Sequence, residues 1–262
     1  MINALWTGAT GMNAQELNIN VISNNLANTS TVGFKKGRAE FEDLVYSNLR
    51  AAGAPLAQGT NNPVGLELGH GVKSVATQKI FTQGDITNTD NPLDMVIEGD
   101  GFFQVLMPDG SFGYTRDGSF RKDSNGVLVT AAGYKVQPEI TIPPEATNVN
   151  IGTDGQVSAT INGQSQALGQ QILIARFSNP AGLYSGGSNI YKETEASGAV
   201  IGPGVPGLEN RGSILSNYLE SSNVKAVEEI VKMIIAQRAY EMNSKSIQTS
   251  DQMLQTAGTL KR

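Results

Sequence analysis

Apolar residues recur every three or four positions at the start of the chain, at Ile2, Leu5, Ala9, Met12, Ile19 and Leu26. That period predicts a helix from Ile2 to about Asn28. A second helical pattern runs from about Ser222 to near Thr256, where Met233, Tyr240, Ile247 and Leu254 fall seven residues apart. The alternate heptad positions read as Ile230, Gln237, Ser244 and Asp251, one apolar and three polar. Ser222 or Asn223 is the expected N-cap, with Glu228 and Glu229 suiting the positive end of the helix dipole. Between the helices the period drops to two. Strands are expected at 102–107, 127–130, 149–151, 157–161 and 171–177, with tight turns at Asp109-Gly110, Asp117-Gly118, Asn125-Gly126, Asp154-Gly155 and Asn162-Gly163. Residues 46–71 show no strong periodicity and read as a loop or a long hairpin. A segment of that length is uncommon in a compact chain unless it has a use.

Proline reinforces this division. All ten prolines lie between Pro55 and Pro206, and neither proline nor glycine occurs from Ser213 to Ala257. The expected class is α+β: terminal helices that pair as a coiled-coil-like inner domain, flanking an all-β antiparallel body. The expected division is 1–30 with 222–262, an intermediate segment 31–71, and a β-rich outer domain 72–221.

Composition makes the terminal helices unusual. Glu16 is the only charged residue before Lys35, and seven Asn lie between Asn3 and Asn28. Asn forms helices poorly, and a solvated helix normally carries more charge. Such a helix is marginal alone and is expected to form when neighbours pack on several sides. Charged residues make up only 16% of the 262 residues, which fits a chain that covers much of its surface with other subunits. A net charge of −5 argues against nucleic acid as a partner. With no Cys there are no disulfides, thiol nucleophiles or Cys-based metal sites. No apolar run has the length to cross a bilayer, and the N-terminal segment lacks the basic start of a secretory signal.

Candidate chemistry is thin, and no catalytic, cofactor or metal residues are expected. Gly202-Pro203-Gly204-Val205-Pro206-Gly207 matches a dinucleotide fingerprint literally, but two prolines remove backbone donors and no helix opens behind it, so a connecting loop is the default. Glu98, Asp100, Asp109, Asp117 and Asp123 could supply a carboxylate pair. Most sit beside glycine in turn dipeptides, where Asp serves local hydrogen bonding. His70, the one histidine, stands between two glycines with no nucleophile motif to serve.

Ser23-Asn24-Asn25-Leu26-Ala27-Asn28, followed by Thr31-Val32-Gly33-Phe34-Lys35, resembles the N-terminal signature of the bacterial flagellar rod and hook axial proteins. The C-terminal stretches Glu228-Glu229-Ile230-Val231 and Gln237 through Lys245, and the central Gly99-Asp100-Gly101-Phe102-Phe103 and Tyr114 through Phe120, resemble the same family. Length and the 46–71 zone point to its distal-rod branch. A proximal-rod or hook subunit is the alternative within the family. A secreted cell-wall-binding β module or glycan hydrolase is the alternative outside it.

The resemblance implies a helical homopolymer in the flagellar basal body, spanning the periplasm as a rigid drive shaft and export channel. It implies subunits exported through the flagellar type III apparatus without a cleaved signal. Implied partners are proximal-rod proteins, the hook protein, the P- and L-ring bushings and the rod cap. The self-assembly residues expected on this basis are Leu5, Met12, Ile19, Asn24, Asn25, Leu26, Asn28, Gly33, Phe34, Ile230, Met233, Gln237, Tyr240, Ile247 and Leu254.

Overall fold

The computed structural model describes residues 2–51, 55–57, 60–61, 63–161 and 163–260. They form two compact units. One holds residues 1–26, 37–78 and 226–262, the other 27–36 and 79–225. The stretch expected as one intermediate segment is therefore shared: 31–36 belongs with the β body, and 37–71 with the helices.

The first unit contains helix α1 (Ile2–Ala27), helix α2 (Ala226–Leu260) and an antiparallel ribbon. The ribbon is nested. Gly37–Asp43 pairs with Val72–Lys79, Tyr46–Arg50 with Leu66–Gly69, and Pro55–Ala57 with Thr60–Asn61. The region 46–71 is thus a hairpin built on the end of another hairpin. Leu44 donates its N–H to the Gly71 carbonyl at 2.8 Å, which carries the ladder across the join. The ribbon rests against α1 at its base, where the Val72 N–H donates to Thr10 Oγ1.

Among its described residues the second unit is built of strands, with one short 3-10 turn at Pro180–Gly182. Its main sheet runs in the order Arg121–Lys122, Leu128–Val129, Lys135–Gln137, Phe102–Leu106, Phe112–Thr115, Ile190–Lys192, Tyr184–Gly187. Ile174–Arg176 bridges Phe102–Leu106 to Ile201–Gly204, so the glycine-rich fingerprint begins as a short paired strand and continues into a turn. Ala146–Ile151, Gln156–Ile161 and Gln164–Gln171 form a three-stranded meander. Met95–Glu98 pairs with Ser213–Ser216, and Ile86–Asn88 with Tyr218–Glu220.

Strand alternation divides the apolar residues between two cores. Phe103 and Ile174 enter a large cluster with Met95, Phe120, Leu128 and Ile214. Their immediate neighbours Phe102 and Ala175 enter a second one with Tyr114, Phe177 and Tyr191. Edge-to-face ring pairs hold both, Phe103 with Phe120 at 5.1 Å and Tyr114 with Phe177 at 4.7 Å between centroids.

Two of these expectations need correction. The strand expected over 171–177 is two strands, Gln164–Gln171 and Ile174–Arg176, because Ile172 leaves the meander to join the core. Asp117-Gly118 is not a hairpin turn. Gly118 lacks the positive φ of Gly110, Gly126 and Gly155, and its missing side chain makes room for the Met95 carbonyl. Asn162 of the last expected turn lies outside the described residues, while Gly163 has the expected φ of 80°.

α2 starts at Ala226, later than the expected caps. The Ser222 hydroxyl accepts from the Val224 N–H, and Asn223 is taken by other segments of the β unit. Both side chains are occupied before the helix begins.

Candidate self-assembly surface

α1 and α2 pack antiparallel, and small residues set how closely. A methyl group at Gly11 would come within 2.7 Å of Asn243 Nδ2, and one at Gly8 within 2.8 Å of Ile247 Cγ1. Further along, Asn25 Nδ2 donates to Glu229 Oε2 at 3.1 Å. Asn25 also exchanges two 2.8 Å bonds with the backbone of Gly37, tying the helix pair to the start of the ribbon. Lys232 donates to the other oxygen of Glu229 at 2.6 Å. Glu229 is buried by these contacts, so it does more than suit the helix dipole.

The inward stripe of α2 has Glu229, Ala236 and Ser250 buried, with Asn243 half-buried. The Met233, Ile247 and Leu254 series is half-buried beside it. The second heptad position is therefore one residue before the expected Ile230, Gln237, Ser244 and Asp251. Gly8 and Gly11 make room on α1 for Ile247 and Asn243, while other bulky apolar residues of α2 are left exposed.

That outward face is strongly apolar. On α2, Val227 is 75% exposed and Met242 66%, with Ile230, Val231, Ile234, Ile235, Tyr240 and Met253 also open. On α1, Trp6 is 66% exposed and Ile2 equally so. The ribbon adds Val45, Tyr46, Leu49, Val64, Leu66 and Leu68. Scattered apolar residues on a surface need no explanation, but a row of them along α2 and the two-stranded ribbon, with Ile2 and Trp6 at the start of α1, marks an interaction surface.

The fifteen expected assembly residues fall in both units. Leu5, Met12, Ile19 and Leu26 are half-buried on α1, Asn24 is exposed and Asn25 buried. Ile230, Gln237 and Tyr240 are exposed on α2. Asn28, Gly33 and Phe34 belong to the β unit. Asn28 accepts from the Thr31 hydroxyl, Gly33 is buried at φ 66°, and Phe34 lies under the Lys79 ammonium at 4.4 Å. A side chain at Gly33 would meet the Arg116 carbonyl carbon at 2.7 Å.

A polar cluster that sequence reasoning missed adjoins this turn. Lys35 and Glu220 are 0% and 1% exposed and joined at 2.5 Å. Arg116 stands 3.7 Å from the other Glu220 oxygen and lies 5.3 Å over the Phe102 ring. Burial holds the Lys35 ammonium below its usual pKa against the pull of Glu220. Burial also pushes the Tyr191 hydroxyl up to about 12. The one sequence signal was Lys35 itself, the first cation of the chain, set in an apolar turn.

The expected turn role of the aspartates is visible. Asp109 accepts from both the N–H and the hydroxyl of Ser111, and Asp117 does the same with Ser119. Among the described residues no three His, Cys, Asp or Glu side chains are grouped to hold a metal ion. Among them, too, no helix is long and apolar enough to cross a membrane.

Residues 5–35 match the family described as flagella basal body rod protein. Residues 96–159 match the flagellar hook protein FlgE/F/G D1 domain, and 215–260 the flagellar basal body rod FlgEFG protein C-terminal family. Full-length similarity is high. The chain is 55% identical over 262 residues to the flagellar basal-body rod protein FlgG of Buchnera aphidicola from Schizaphis graminum, covering 99% of this chain and 100% of the relative. It is 52% identical to FlgG of Borreliella burgdorferi and 40% identical to FlgG of Bacillus subtilis, with both chains covered completely in each case. The flagellar hook protein FlgE of Helicobacter mustelae is 43% identical over 139 residues, which is 52% of this chain and 30% of that protein.

Proposed function

Because the chain belongs to the flagellar basal-body rod protein family, as its distal-rod type, we propose that it polymerises through the outward faces of α1 and α2 into a straight, rigid helical tube. It is a structural subunit of the flagellar rod, located in the basal body, and assembles there with other flagellar components. The observation that carries the mode of assembly is the open apolar face of the helix pair, with Trp6, Val227, Ile235 and Met242 each more than half exposed. Leaving so many apolar side chains in water is unfavourable by roughly 25 cal/mol per Å², a cost that neighbouring copies remove.

In this reading the paired helices line the inner channel of the tube. Proximal-rod proteins and the rod cap contact the ends of the tube, the hook protein continues it, and the P and L rings surround it. Subunits arrive through the type III export channel. The chain serves a structural role and does no catalysis; Asp109 and Asp117 are each taken up by the serine two residues on. The hook alternative is disfavoured because the hook relative covers half of this chain and the rod relatives all of it. The glycan-hydrolase alternative has no supporting observation.

The test is concentration-dependent assembly of the purified chain, followed by electron microscopy and sedimentation. Straight tubes of uniform diameter are expected. A monodisperse monomer at every concentration, with both helices formed, would overturn the reading.

A further inference from the structure

The chain passes between its two units four times, after residues 26, 36, 78 and 225. Three of these passages adjoin one small group of residues in the β unit. Glu220 Oε1 accepts from Lys35 Nζ at 2.5 Å and from the Gly84 N–H at 2.8 Å, while the Glu220 carbonyl accepts from the Gly33 N–H. Asn223 Nδ2 donates to the carbonyls of Ile80 and Thr82, and its Oδ1 accepts from the Lys36 N–H. Lys35 Nζ donates to the Thr82 carbonyl, and Lys79 Nζ to the Lys35 carbonyl. The segments 33–36, 79–85 and 220–223 are each bonded to the other two.

A buried ion pair contributes little net stability compared with apolar residues of the same size. Its hydrogen bonds are directional, however, and an apolar contact of equal size would permit sliding. We infer that Lys35, Glu220 and Asn223 form a clasp that fastens the three connecting segments into a single cooperative element. A load entering along any one of them is shared among all three. That mechanical use rests on the rod reading above; the clasp itself does not. The three residues are positioning residues, and none needs to touch a partner.

Hydrogen exchange of the full-length monomer separates a clasp from ordinary core packing. Glu220→Gln keeps the shape and removes the charge facing Lys35 and Arg116. Asn223→Ala removes the second bridge without touching the ion pair. In both variants the amides of Gly33, Ile80, Gly84 and Ser221 are expected to exchange faster together, by about tenfold, with the strands across 102–115 unchanged. Loosening confined to the substituted segment, or equal loosening of 102–115, would overturn the inference. Should Glu220→Gln fail to fold, Asn223→Ala decides alone. Polymers of Asn223→Ala are expected to bend more than the parent; equally straight ones would refute load sharing. Failure of the unaltered chain to polymerise would refute the rod reading and leave the exchange result standing.

Discussion

Gly8 of α1 faces Ile247 of α2 so closely that a methyl group on Gly8 would stand 2.8 Å from the Ile247 Cγ1. Gly8→Leu should therefore push the helices apart, with overpacking of about 1–3 kcal/mol. Polymerisation is expected to fail while the β unit melts at its parental temperature. Adding Ile247→Ala should restore assembly at least in part. Calorimetry and electron microscopy of the single and double variants check this, and an assembling Gly8→Leu protein would show that the contact is dispensable.

Tyr240 is 41% exposed, at the heptad position it shares with the half-buried Met233, Ile247 and Leu254. Tyr240→Asp would place a charge where a neighbouring subunit is expected to cover it, at a cost of a few kcal/mol per interface. Sedimentation should show monomer, with the melting of the β unit unchanged. Normal tubes from this variant would move the intersubunit seam elsewhere.

Two Asp-Gly pairs that look alike in sequence should respond differently to alanine. Gly110 has φ 80° and open space around it, so Gly110→Ala should cost about 1–2 kcal/mol of backbone strain. At Gly118 a methyl group would overlap the Met95 carbonyl oxygen, so the backbone itself must move. Gly118→Ala is expected to cost about 3 kcal/mol or more. Urea titration of the two variants reads the difference.

This contrast marks what pattern reading could reach. The helices were legible because heptads and the absence of proline act over many residues. The alternating strands were legible for a similar reason, since Phe102 and Phe103 must face opposite ways. Asp117-Gly118 was not, because its glycine serves a carbonyl on another strand rather than its own turn. Asn223 was taken for a helix cap because its bonds to Ile80 and Thr82 cross 143 and 141 residues. The Lys35–Glu220 pair spans 185 residues, and nothing local to either residue announces the other. The inward stripe of α2 passes through Glu229, one residue before the heptad position at Ile230. Hydrophobicity favoured Ile230, but the neighbouring helix offered a buried Asn25 that only a polar partner satisfies.

Alkaline pH should loosen the second core. Tyr191 titrates near 10 in the unfolded chain and at about 12 in the folded one. Between those values the folded state holds the extra proton, so stability falls as pH rises through that window. The full loss is on the order of 3 kcal/mol. Burial raises Tyr114 too, so Tyr191→Phe should remove only part of the decline. Thermal melts from pH 9 to 11.5 test it; identical alkaline slopes in parent and variant would assign the loss to other groups.

The nested ribbon carries an apolar row with no core of its own, and an isolated two-stranded ribbon is marginal in water. Deleting about Ala51 to Gly65 should spare folding of the β unit and export. The resulting rods are expected to bend or to lengthen irregularly if the ribbon wedges between neighbouring subunits. Micrographs with deletion rods as straight and uniform as the parent would reduce the ribbon to a passive loop.

α1 and α2 both belong to the helical unit, and the β unit is inserted between them in two pieces, 27–36 and 79–225. Every strand of that insertion pairs within it, so it can fold before the last helix is available. The helix pair cannot: Asn25 must wait for Glu229, and Gly8 for Ile247, near the other end of the chain. A chain that becomes available one end first can complete the helix pair only once both α1 and α2 are present. If assembly runs through the faces of the helix pair, as proposed, a complete pair is thus a precondition for joining the polymer. A broken chain, however well its β unit folds, carries no matching second helix with which to enter the lattice.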